Sequence, residues 1–148
     1  MNQTAQHFPL LARGCGSWTG TYTHITPEGD VLDRHQVDTH SSFPLEADAD
    51  FVLDIRNTWS DGRETRITLK ADHRNNRLEW QDRLDGWMEE VDDRTVYLNF
   101  TYANDPSIRV CEMIQISEDG QSRARTWHWF KDDKLFKITL TNETRSTL

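Results

Sequence analysis

At 148 residues the chain has the length of one domain, and residues 1–148 are read as a single unit. A formal net charge of −8, with no dense basic face, excludes a nucleic-acid binder and a protein drawn to anionic membrane surfaces. Apolar residues make up only 35% against 28% charged, yet they include 6 Trp, 6 Phe and 3 Tyr; few but bulky groups suit a thin core or a lined cavity.

The N-terminal segment MNQTAQHFPLLARGCGSW has no basic leader and no apolar run of about 7–15 residues, so no secretion signal is expected. A helical turn or two is expected around Phe8, Leu10 and Leu11. No stretch approaches the roughly 20 apolar residues of a membrane-spanning helix. Cys15 and Cys111 are expected as free thiols, which together with the missing leader predicts a cytoplasmic location.

Beyond residue 15 the period is two. Strands are predicted near 17–25, 31–38, 50–59, 64–73, 77–83, 87–93, 95–102, 108–117, 122–131 and 135–144. Between them stand turn signals: Pro27-Glu28-Gly29, Ser60-Asp61-Gly62, Asn75-Asn76, Asp85-Gly86, Asn104-Asp105-Pro106, Asp119-Gly120 and Asp132-Asp133. The expected fold is all-β: an antiparallel up-and-down barrel of eight to ten strands behind a short N-terminal helical segment. Closure removes the exposed edges that a meander of this length would present. A β-sandwich is the alternative.

The turns also set which side chains point inward. Asp119-Gly120 as a two-residue turn places Ile114 opposite Arg125, Glu112 opposite Trp127 and Val110 opposite Trp129. Asp132-Asp133 then places Trp129 opposite Phe136, Trp127 opposite Ile138 and Arg125 opposite Leu140. Asn75-Asn76 sets Ala71 beside Trp80 and His73 beside Leu78, while Asp85-Gly86 sets Trp80 opposite Val91. A three-residue loop at Ser60–Gly62 sets Ile55 opposite Leu69 and Asn57 opposite Ile67. In the first strand Trp18, Gly20, Tyr22 and His24 share the inner face.

This inner face carries polar members: Tyr22, His24, Asn57, Tyr102, Glu112, Arg125 and Asn142. Each needs a partner if buried, and a cavity holding a polar-decorated ligand would supply one. Glu112 and Arg125 are diagonal neighbours, placed to form an internal ion pair. That pair is either purely structural or the site of a ligand clamp by Arg125 and acid–base work by Glu112. His35, His40 and His73 lack metal-binding spacing, His128 points outward, and no metal is expected. There is no nucleophile elbow, phosphate loop or Cys-x-x-Cys.

The stretch GSWTGTYTHITPEGDVL (16–32) and the closing SRARTWHWFKDDKLFKITLTNETR (122–145) resemble the calycins, and most closely the lipocalin-like family of unknown function 3598. The resemblance implies a barrel with a central cavity, Trp18 plugging one end, and a basic residue of a late strand beside it, Arg125 or Arg145. Among calycins, nitrobindins bind haem through a late histidine. No histidine follows His128 here, so neither haem nor another cofactor is expected.

The reading is therefore a barrel that binds an apolar or aromatic small molecule. Trp80, Trp127, Trp129, Tyr102 and Phe136 would give contact area, and Arg125, Asn57 and Asn142 would orient the ligand. The alternative is a cofactor-free cyclase or isomerase of natural-product or isoprenoid metabolism, with Glu112, His24 or Tyr22 moving a proton. Outward aromatic residues such as Phe130 mark a candidate homodimer contact.

Overall fold

The computed structural model describes residues 1–146. A 3₁₀ turn (Gln3–His7) and the short helix α1 (Pro9–Arg13) precede ten strands: β1 (Gly16–Ile25), β2 (Val31–Ser42), β3 (Phe51–Thr58), β4 (Glu64–Arg74), β5 (Arg77–Trp80), β6 (Leu84–Glu90), β7 (Thr95–Tyr102), β8 (Asp105–Ile116), β9 (Ser122–Lys131) and β10 (Lys134–Arg145). Every neighbour in sequence is a neighbour in the sheet, and β10 pairs back onto β1, closing the barrel. The expected architecture and N-terminal helical segment are both present. Among the described residues no helix is long and apolar enough to cross a membrane.

Turn chemistry sets most of the staves. Asn75-Asn76 and Asp132-Asp133 have positive φ at both residues, as a two-residue primed turn requires. Ala71 accordingly faces Trp80, His73 faces Leu78, and Lys131 faces Lys134. On β8 and β9, Val110 pairs with Trp129, Glu112 with Trp127 and Ile114 with Arg125, as the Asp119-Gly120 turn predicts.

Three registers differ from the sequence reading. First, Asp85-Gly86 is not a turn. The chain reverses at Gln81–Arg83, with Asp82 at φ 58°, and Leu78 pairs with Met88. Val91 lies beyond the strand, exposed, and not opposite Trp80. Gly86 instead sits within β6, where a Cβ would lie 2.1 Å from the Asn99 carbonyl oxygen on β7. The glycine serves close approach between strands rather than reversal.

Second, the three-residue Ser60–Gly62 loop is present, with Gly62 at φ 93° and the Trp59 amide donating to the Arg63 carbonyl, and the register it sets pairs Thr58 with Glu64. Ile55 therefore faces Ile67 and Asn57 faces Thr65, a shift of two that keeps every side chain on its predicted face. Third, β10 carries a bulge at Phe136. Leu135 pairs with Phe130, but Lys137 pairs with Trp129, Thr139 with Trp127 and Thr141 with Arg125. One extra residue inverts the strand's faces. Phe136, Leu140 and Asn142 consequently point outward, and Thr139, Thr141 and Glu143 point in.

The barrel has a closed end and an open end. At the closed end Trp18 is fully buried and donates its indole N–H to the Gly14 carbonyl at 2.9 Å. Phe8, Leu10 and Leu11 of the N-terminal segment pack into the same cluster, with Phe43 and Ile116. The Leu11 amide donates to Glu90 on β6 at 2.7 Å, tying this segment to the wall.

Candidate functional site

Above that floor lies a layer of buried charge. Arg125 donates from Nε to Glu112 at 2.6 Å and lies 3.6 Å from Glu143 through Nη1. Arg123 grips Glu143 with two bonds, 2.9 and 3.0 Å, and reaches Thr39 on β2 at 3.1 Å. Two guanidinium groups thus face two carboxylates, so the layer is electrically balanced. Burial pushes the Glu112 carboxyl up, and Arg125 pulls it back only part of the way. Burial also works against the Glu143 carboxylate, but Arg125 and Arg123 outweigh it and hold Glu143 below the usual glutamate range. Burial opposes the charge on Arg125 as well; Glu112, Tyr22 and Glu143 together hold it more firmly protonated than usual.

The basic partners of Trp18 are Arg145, 4.2 Å from the ring centroid, and Arg123, at 4.6 Å. Of the two residues that the resemblance implied, Arg145 takes this place. Arg125 lies over Trp127 and Tyr22 instead.

On the other side of the charged layer the interior opens into a cavity of about 290 Å³. Tyr22, His24, Asn57, Trp80, Tyr102, Glu112, Arg125, Trp127 and Trp129 line it, together with aliphatic residues such as Ile55 and Leu98. Phe136, 38% exposed, and Asn142 do not, because the β10 bulge turns them to the outside. Lys137 takes the inward place opposite Trp129 and holds its ammonium 4.1 Å from that ring's centroid.

The cavity also holds residues that the sequence reading did not assign to it. His35 stands opposite Tyr22, and Trp59 stacks on the His35 ring at 4.2 Å. His35, Trp59, Arg83 and Lys137 all line the wall. A signal existed for His35: pairing β2 with the inner face of β1 puts it inside.

Three donors of this wall find no acceptor in the protein: the Tyr22 hydroxyl and the indole N–H groups of Trp80 and Trp127. An orphaned buried donor costs about 1–3 kcal/mol. Burial pushes the Tyr22 phenol up to about 12, chiefly by desolvation, so it remains an O–H donor throughout the physiological range. Burial, with Lys137 and His35 nearby, pulls the His24 imidazole down to about 4.

The Tyr22 shift carries a stability prediction. An unfolded tyrosine loses its proton near pH 10, the native one near 12, so the native state binds more protons between these values. Its contribution is whole below pH 10 and is lost as the pH rises toward 12, about 2–3 kcal/mol in all. Urea unfolding on either side of that window should show a smaller alkaline loss for Tyr22→Phe than for the parent.

Both cysteines are free, and Cys111 lies on the outer face beside Arg109, 3.3 Å away.

The sequence matches no protein-family model and no curated protein. The fold does have counterparts among solved structures. A protein of unknown function of the DUF3598 family from Nostoc punctiforme aligns over 89% of this chain with a TM-score of 0.67 and 16% identity. This chain spans about half of that protein, 47% of its length. An S-type phycobiliprotein lyase from Guillardia theta aligns over 100% of this chain and 99% of its own, with a TM-score of 0.73 and 12% identity. The likeness is one of fold, a closed antiparallel up-and-down barrel.

Proposed function

We propose that this barrel binds a small aromatic or apolar molecule carrying acceptor oxygens. The observation behind the proposal is the pairing of an aromatic wall with three orphaned donors, Tyr22, Trp80 and Trp127, around one cavity. Ligand pockets combine a mostly apolar lining with a few convergent polar groups, and these donors are such groups. The volume of about 290 Å³ sits at the lower end of the ~300–1,000 Å³ usual for such sites, which suits one or two rings. Arg83 and Lys137, also in the lining, favour a carboxylate or phenolate on the ligand. Arg125 contributes orientation through its π contacts, since Glu112 and Glu143 already hold its charge.

Tryptophan quenching with a panel of aromatic carboxylates, naphthoate and cinnamate among them, tests this reading, alongside native mass spectrometry for a retained molecule. One ligand per chain is expected, and Tyr22→Phe and Trp127→Phe should each weaken binding by roughly 5–10-fold, the worth of a hydrogen bond of about 1–1.5 kcal/mol. An absence of quenching across the panel, with no co-purified molecule, would count against it.

A catalytic use of the same cavity, as a cyclase or isomerase, is favoured by one observation: Tyr22, His24 and Glu112 share its wall. Glu112→Gln separates the two readings. Turnover lost while ligand binding persists would favour catalysis.

A further inference from the structure

We infer that His24, Asp33 and His35 form a binding site for a divalent transition-metal ion of the zinc or ferrous class, at the rim of the cavity. The antiparallel register of β1 and β2 brings the three together: His24 pairs with Asp33, and Tyr22 with His35. His35 and Asp33, two apart on one strand, face the same side as His24. One donor atom from each lies within 4.8 Å of the other two. Ligand atoms about 2.0–2.1 Å from one zinc ion stand roughly 3.3 Å apart, so binding needs a contraction of about 1.5 Å at most. Small side-chain rotations supply that.

Each residue is already oriented by a neighbour of the kind that supports metal ligands. The Nδ1 atom of His24 lies 2.7 Å from the Thr139 hydroxyl, which also accepts from the Trp129 indole at 2.9 Å. This leaves Nε2 of His24 as the ligating atom. The Trp59 indole donates to both oxygens of Asp33, at 3.2 and 3.0 Å.

His35 is oriented by a neighbour in the same way. Asn57 spends its amide N–H on Thr65, at 3.2 Å, so its carbonyl oxygen accepts from His35 Nε2, 2.9 Å away. With its proton on Nε2, a neutral His35 turns the lone pair of Nδ1 toward the Asp33 carboxylate, 3.1 Å away. An ion held there would take one ligand atom from each residue.

Two imidazoles and one carboxylate select for the zinc or ferrous class over magnesium or calcium, which take oxygen ligands. The remaining coordination positions open toward the cavity, since His24 and His35 both line it. Lys137, whose charge acts on His24 and Asp33, rests its ammonium over the Trp129 ring. The expectation that the histidines lack metal spacing considered them along the chain, whereas this set is assembled across a hairpin.

The test uses the whole protein, stripped with chelator and titrated with Zn²⁺ and Co²⁺ alone, without any organic ligand, so its outcome is separate from that of the cavity-binding experiment. One equivalent per chain should bind, and Co²⁺ should give a visible ligand-field spectrum. Asp33→Ala and His24→Ala should each weaken binding by at least about 100-fold, beyond the 10–100-fold typical of supporting residues. His128→Ala, an exposed outward position, should bind as the parent does. Asp33 lies at the rim with a side chain 38% exposed, so its variant should stay folded, as circular dichroism would verify. The inference fails if no stoichiometric ion binds, or if binding survives both substitutions.

Discussion

Glu143→Ala is expected to destabilise the barrel by about 3–5 kcal/mol, the usual loss when one partner of a buried ion pair is removed. The carboxylate is nearly inaccessible and takes two hydrogen bonds from Arg123, with Arg125 Nη1 3.6 Å away. Its removal leaves two buried guanidinium groups sharing the single carboxylate of Glu112. The cost is therefore one of uncompensated charge more than of lost contact. A double replacement separates these terms. Glu143→Leu with Arg123→Met removes one charge of each sign and leaves Glu112 with Arg125, so most of the loss should return. Urea unfolding of both variants measures the difference, and a double variant no more stable than Glu143→Ala would show that charge balance is not the governing factor. The pH dependence has a defined sign. Glu143 titrates below an unfolded glutamate, so its contribution is present above the ordinary glutamate pKa and is lost as the pH falls through its own depressed value. Glu112 titrates above an unfolded glutamate, so its protonated form is favoured in the native state, and stability falls as the pH rises toward its raised value. Acid sensitivity should therefore trace to Glu143, and its replacement should blunt that part of the profile.

The same layer shows how far a sequence can be read. Glu112 and Arg125 are legible because the reversal between Ser117 and Ser122 keeps the register that a two-residue Asp119-Gly120 turn would set, and every pairing on β8 and β9 follows by counting. Glu143 was not legible. KLFKITLTNETR alternates in either phase, with Phe136, Ile138 and Leu140 as convincing an inner face as Lys137, Thr139 and Thr141. The bulge at Phe136 chooses the second phase, and it depends on how β10 meets both β9 and β1. Gly86 misleads for a related reason. Asp-Gly is the composition of a primed turn, but the same glycine is demanded wherever a neighbouring backbone approaches too closely for a Cβ, as Asn99 does here. The register shift between β3 and β4 did no such damage, since an error of two preserves faces and left Asn57 inside. The His24–Asp33–His35 group needed partners across two strands, which no spacing along one strand reveals.

Trp18→Ala should cost a similar amount, about 3–5 kcal/mol, through a different mechanism. The indole is fully buried and its N–H satisfies the Gly14 carbonyl, where α1 hands over to β1. Truncation leaves a cavity at the closed end, a Gly14 carbonyl with only the longer Ser41 hydroxyl contact at 3.5 Å, and two cations without their aromatic partner. Arg145 and Arg123 lie 4.2 and 4.6 Å from the ring centroid, and each contact of this type contributes about 0.5–2 kcal/mol. Trp18→Phe keeps a ring for both cations but loses the indole donor to Gly14, so it should recover more than half of the loss. Ligand affinity offers a second readout. Trp18 does not line the aromatic cavity, being separated from it by the Arg123–Glu143 and Arg125–Glu112 layer. The folded fraction of Trp18→Phe should therefore bind the aromatic carboxylate panel within about twofold of the parent, since the donors that orient the ligand are untouched. A large loss of affinity with the fold intact would mean that the floor and the cavity act as one unit, and that the charged layer transmits rather than insulates.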